Sequence, residues 1–279
     1  MSRIGVVFIV LCFCVATFLA PNSASAHAML ICHVGGPGTS EQAAPKLDLF
    51  LRHLEKTAGF EANFFEGLYL KKETDCQRYL EEKKPLMVVT DLPTLLRNFS
   101  KWELDPVAHV GDDASTRYHL LASNPSLTSL DAAEGRSVAW AAPRDKAFLE
   151  RVVFAAKVSL DTHFKLTPVR RVLKGVRGVS RGKYDAVLVD QAAYAHMGEL
   201  GLPQPLMEVF RSEPLPGLTL ASRGTLNPEQ KKVVAKIKAA LPGLCEAAGQ
   251  GLCASLEVAS FTKAKKKKLK KLLKRYRGK

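Results

Sequence analysis

Four short stretches hold the side chains best suited to bind a ligand. Gly35-Gly36-Pro37-Gly38-Thr39-Ser40 closes the apolar run Met29–Val34 and opens an amphipathic stretch. A glycine-rich turn lets backbone approach a ligand closely, and the first N–H groups of a following helix attract anions. Gly36, Thr39 and Ser40 are therefore candidate ligand contacts, the last two through their hydroxyls. It is not a P-loop, because no Gly-Lys-Ser/Thr follows. Asp91 follows the apolar run Leu86–Thr90, and Asp190 ends the run Tyr184–Val189. Strand ends of this kind are where open α/β sheets hold ligands. Asp190 is equally suited to cap the helix that follows it. Arg144, after the run Ser137–Ala141, carries a fork that can take an oxyanion through two parallel hydrogen bonds.

Catalytic and metal patterns are absent from the sequence. The seven histidines are scattered, with no HExxH, no CxxC and no paired spacing for a metal ligand. No cofactor is expected, and the reading is binding rather than catalysis. Two enzymatic alternatives exist. Cleavage after Ala26 would leave His27 as a terminal copper ligand, as in oxidative polysaccharide-cleaving enzymes, but those are β-sandwiches. Cys32 or His33 at a cleft edge could be the relic of a catalyst, whereas buried strand residue or half-cystine is the plainer role for Cys32.

The first 26 residues read as a cleavable signal peptide. Arg3 precedes an apolar run from Ile4 to Ala20, and Ala24-Ser25-Ala26 offers the small residues of a cleavage site. This address predicts the periplasm. Cys32, Cys76, Cys245 and Cys253 remain, an even number in an oxidising compartment. Four cysteines allow three pairings; Cys245 with Cys253 is preferred, since Gly249 and Gly251 lie between them and let a small loop close. Cys32 with Cys76 is the remaining pair.

Charge is unevenly spread. Of the net +14, eleven charges lie in residues 263–279 and one at Arg3, so residues 27–262 carry only +2. A nucleic-acid footprint should lie on the folded face, so no nucleic-acid partner is expected. Within the tail, Leu269, Leu272, Leu273 and Tyr276 share one face at helical spacing, ringed by lysines. Like charges should leave this segment largely disordered in water. An anionic membrane surface or an acidic partner could order it through Lys263 to Lys279; the alternative is a solvated basic tail without a function.

The elements that position these residues alternate. A β-α-β-α-β order is expected from strands at Met29–Val34, Glu61–Phe65 and Leu86–Thr90 with helices between, which implies a parallel sheet. Val107–Val110 and Tyr118–Ala122 read as strands joined by the polar turn Gly111-Asp112-Asp113. A second unit follows from Asn124: strand Ser137–Ala141, a helix from Asp145 to about Val158, strands Lys165–Val169 and Tyr184–Val189, a helix Gln191–Met197, then strands Leu206–Arg211 and Leu218–Ser222. Asn227-Pro228-Glu229 opens a helix.

In this order the segments Tyr118–Trp140, Gly182–Met197 and Glu208–Leu241 resemble the type 2 periplasmic binding proteins, in the branch of phosphate and phosphonate receptors of ABC transporters. The resemblance spans residues 28–245 and implies an α/β, two-lobed fold with two crossing strands, here followed by the basic C-terminal tail. Lobe one is expected at 27–122 and 217–262, lobe two at 123–216. It implies an extracytoplasmic receptor, not an enzyme, that closes on a small anionic solute in the interlobe cleft and serves an ABC permease. Asp190 matches the family's strand-end acid, which faces a ligand amine. One departure stands out: the family's hydroxyl-rich loop in lobe two is Ala141-Ala142-Pro143-Arg144-Asp145-Lys146 here, leaving Arg144 as the donor. The alternative is an envelope interaction protein that has lost its ligand and is tethered by the tail.

Overall fold

The computed structural model describes residues 26–36, 38–111, 116–141 and 145–279. The proposed leader up to residue 25 and the candidate Arg144 lie outside the described residues. Two sheets form, and they are built alike. In the first, β1 (His27–Cys32), β2 (Phe65–Leu70) and β3 (Met87–Thr90) are parallel, with β1 in the middle. Parallel neighbours need crossovers, supplied by α1 (Ser40–Ala58) and α2 (Glu73–Lys83). The short α3 (Leu92–Asn98) then leads to β4 (Leu104–Val110). The chain crosses over at this point and enters the second sheet as β5 (Tyr118–Ala122).

In that sheet β6 (Ser137–Trp140), β7 (Lys165–Pro168) and β8 (Ala186–Asp190) repeat the parallel arrangement, with β6 central. Between β6 and β7 run α4 (Lys146–Phe148), a π-turn over Leu149–Val153 and α5 (Leu160–His163). Then come α6 (Val172–Ser180), α7 (Gln191–Ala195) and β9 (Met207–Arg211). The chain crosses back to lobe one as β10 (Thr219–Arg223), antiparallel between β3 and β4, just as β5 lies antiparallel between β8 and β9. Each lobe thus receives one strand from the other's side. The two crossings are zipped together: Thr116 and Leu215 exchange backbone hydrogen bonds of 3.1 and 2.9 Å.

Two expectations are corrected here. Tyr118–Ala122 belongs to the second sheet, not to lobe one, because it pairs with β8 and β9 there. The helix expected from Asp145 to Val158 is only α4 and its π-turn. Widening the turn brings Phe148, Leu149, Val152 and Val153 all into the core.

Helix ends follow their caps. Thr39 and Gln42 form a reciprocal capping box at the start of α1, and Gly59 ends it with φ 68°. Asn227 and Gln230 do the same for α8 (Pro228–Ala240), with proline at its first position. Disulfides join Cys32 of β1 to Cys76 of α2, and Cys245 to Cys253 of α9 (Gln250–Ser255).

The C-terminal segment differs most from its sequence reading. β11 (Phe261–Lys263) pairs with β4, and α10 (Lys266–Tyr276) is a folded helix. Its leucine face is not free to enter a membrane. Leu269, Leu272 and Leu273 are buried in a continuous apolar core with Leu95 and Leu96 of α3 and Leu149, Val152 and Val153 of the π-turn. The protein's own apolar surface offsets the lysine repulsion that was expected to keep the tail unfolded, so α10 bridges the lobes. Asp145 ties the bridge: its carboxylate accepts from the Phe148 N–H (3.0 Å), from Arg97 Nε of α3 (3.0 Å) and from the Tyr276 hydroxyl (3.0 Å).

Candidate functional site

The parallel strands of both lobes end toward the crossings, and the acids singled out in the sequence stand at those ends. Asp91 follows β3 and caps α3, accepting from the Thr94 N–H at 2.8 Å. Asp190 ends β8 and caps α7, accepting from the Ala193 N–H at 2.8 Å. Both roles proposed for Asp190, cap and cleft acid, are compatible, because a cap uses one carboxylate oxygen and Asp190 is only half-buried.

Tyr118 stands beside the second of these acids. It lies directly across from Asp190 in the β5–β8 ladder, so the two side chains share a face of the sheet. Its ring packs edge-on against Phe148 at 5.7 Å. Burial pushes its hydroxyl well above the ordinary tyrosine pKa, and the negative charges of Asp190 and Asp91 push it further. Asp91 is itself raised above 3.8, mainly by burial, against the opposing pull of Thr94, the His33 charge and the Val34 N–H. Beside it the Thr90 hydroxyl is buried with no hydrogen-bond partner among the described residues.

The loop at the start of α1 is placed differently from what its glycines suggest. Gly36 is buried and donates its N–H to the His33 carbonyl at 2.9 Å; a Cβ there would lie 2.4 Å from the Tyr69 hydroxyl oxygen and 2.7 Å from the His33 ring. Gly36 is thus required for packing the loop onto its own lobe. The Thr39 N–H donates to Gln42 Oε1 (3.0 Å), and the Ser40 hydroxyl donates to the Tyr69 carbonyl (2.7 Å). The Glu41 carboxylate also lies here, held below its usual range by the Thr39 hydroxyl and its own N–H. The helix end that was expected to receive an anion already faces a carboxylate of its own chain.

The polar groups described at these strand ends are Thr90 and Asp91, with His33 nearby, in lobe one, and Tyr118 and Asp190 in lobe two. Sequence reasoning found the two acids but missed Tyr118 and Thr90. Among the described residues no cluster of His, Cys, Asp and Glu could hold a metal ion.

The family described as "ABC transporter, phosphonate, periplasmic substrate-binding protein" matches residues 103–269. The chain belongs to this family of periplasmic substrate-binding receptors. Its fold is that of the two-lobed type 2 binding proteins. The protein XAC2383 from Xanthomonas citri, bound to chloride ion, superposes with TM-score 0.68 at 12% identity, covering 90% of this chain and 98% of that one. PhnD1 from Prochlorococcus marinus in complex with methylphosphonate gives 0.66 at 12%, covering 90% and 97%. A binding protein component of an ABC phosphonate transporter from Pseudomonas aeruginosa gives 0.62 at 14%, covering 90% and 88%. No curated protein matches the chain. The chain is a solute-binding protein, of a family whose members bind small anionic solutes for ABC transporters.

Proposed function

We propose that this receptor binds a small zwitterionic phosphonate- or phosphate-like solute between its lobes, with the ammonium end toward Asp91 and Asp190. The observation that carries this reading is the placement of Asp91 and Asp190 at the ends of β3 and β8, with Tyr118 directly across the ladder from Asp190. Two carboxylates repel a bare anion and attract an ammonium group. The oxyanion end would meet Arg144, the cation that the sequence offers in the loop between β6 and α4. Cleavage after Ala26 would deliver the protein to the periplasm, where an ABC permease takes up its solute.

Calorimetry with 2-aminoethylphosphonate, methylphosphonate and inorganic phosphate tests the assignment. Asn caps helices as well as Asp does, so Asp190→Asn removes the charge and keeps α7 capped. Loss of a charge-assisted hydrogen bond of about 1.5–3 kcal/mol should weaken the aminophosphonate on the order of 10- to 100-fold. Methylphosphonate should change far less. Equal effects on the two ligands, or no binding of any of the three, would overturn the proposal.

A pH dependence follows from Asp91. Its folded pKa is raised above 3.8 by burial, so its contribution to stability is full below that value and is lost as pH rises through the folded value. The ammonium needs the ionised form, so binding has the opposite slope. Affinity for 2-aminoethylphosphonate should fall as pH drops through the raised pKa, and Asp91→Asn should flatten the curve. A wild-type affinity independent of pH across the carboxylate range would remove Asp91 from the site.

A further inference from the structure

On the outer side of lobe two, α6 turns Val176 and Val179 to the sheet and a row of cations to water. Two glycines let the helix sit low. A Cβ on Gly175 would lie 2.9 Å from Val187, and one on Gly178 would lie 2.6 Å from the Tyr184 ring. The result is a recess of about 620 Å³ whose lining includes Arg170, Arg171, Lys174, Arg177, Arg181 and Lys183, all exposed. Lys183 leans over the Tyr184 ring at 5.5 Å. Among the described residues the other five make no ion pair and no side-chain hydrogen bond. Arg97, Arg211 and Arg275, by contrast, each have a carboxylate within 3.2 Å.

This concentration is local, because residues 27–262 carry only +2 in all. Like charges three and four residues apart on one helix face repel, and an anion relieves that repulsion. Four of the six groups are guanidinium forks, the geometry that holds phosphate oxygens in pairs. The nine residues of α6 span about 14 Å at 1.5 Å per residue, so one orthophosphate would leave most of the row unmatched. We propose that this recess is a second binding site, separate from the interlobe cleft, for a compact molecule carrying several linked phosphate groups. Four cationic forks along one groove answer several phosphates in a row. The cleft, with Asp91 and Asp190, has the opposite charge.

Tripolyphosphate and orthophosphate, titrated into the full-length protein at moderate salt, test this site. Tripolyphosphate should bind at least 100-fold more tightly than orthophosphate, with an affinity that falls steeply as salt is added. The triple variant Arg170→Gln/Lys174→Gln/Arg177→Gln should weaken it at least tenfold, as should the independent pair Arg181→Gln/Lys183→Gln. Neutralising three exposed lysines of α10 (Lys267→Gln/Lys270→Gln/Lys271→Gln) should change it less than twofold. Asp190→Asn should leave it intact, which separates this site from the cleft. Equal loss in the α6 and α10 variants would mean diffuse charge attraction and overturn the proposal. So would equal affinity for the two phosphates, or binding confined to vesicles of anionic lipid.

Discussion

A chain ending at Lys265 should lose cooperative unfolding under conditions where the full-length protein is folded. The deletion removes Leu269, Leu272 and Leu273, which are only 3%, 5% and 9% exposed. At about 1.5–3 kcal/mol per buried leucine, their burial is worth roughly 5–9 kcal/mol, the same order as the whole stability of an ordinary domain. The loss extends past α10 itself. Leu149, Val152 and Val153 would face water, and Asp145 would keep Arg97 but lose the Tyr276 hydroxyl. A graded version is Leu272→Ala, expected to destabilise by about 2–5 kcal/mol. Urea unfolding followed by circular dichroism measures both. A truncated protein that melts within a few degrees of the full chain would make α10 an appendage.

The two disulfides should differ in weight, with Cys32–Cys76 the heavier. It closes a loop across a separation of 44 residues, against 8 for Cys245–Cys253. Chain entropy assigns about 4 kcal/mol to the longer loop and roughly 2.5 kcal/mol to the shorter. The longer bridge also ties β1, in the middle of its sheet, to α2, with both cysteines fully buried. Paired Cys→Ala variants, compared by denaturant midpoint at constant slope, give the two values separately. A larger loss from Cys245→Ala/Cys253→Ala would show that the chain-entropy ranking fails in this fold.

Much of the frame is legible in the sequence because it is written in local signals. Asn227-Pro228-Glu229 opens α8 through a capping box, and the apolar runs before Asp91 and Asp190 end as strands with those acids capping the next helix. What escapes is whatever depends on residues distant along the chain. Tyr118 is unremarkable in sequence; its place comes from pairing with β8, 72 residues later. The period of α10 is plain, yet its partners lie on α3 and the π-turn, so the periodicity shows a buried face without showing what buries it. Gly36 misleads for a related reason. A glycine chosen for closeness to Tyr69 and His33 reads, in sequence, like one chosen for closeness to a ligand.

The bridging position of α10 has a consequence for biogenesis. A chain is made from its N-terminus onward, and α10 follows in sequence both of the elements it packs against, α3 and the π-turn. Until α10 has formed and docked, the apolar faces of α3 and the π-turn that it covers stay exposed. Exposed apolar surface in a nascent chain invites aggregation and proteolysis. A chain cut before α10 keeps that surface uncovered, so the state of its last helix decides how much apolar surface the rest of the fold presents.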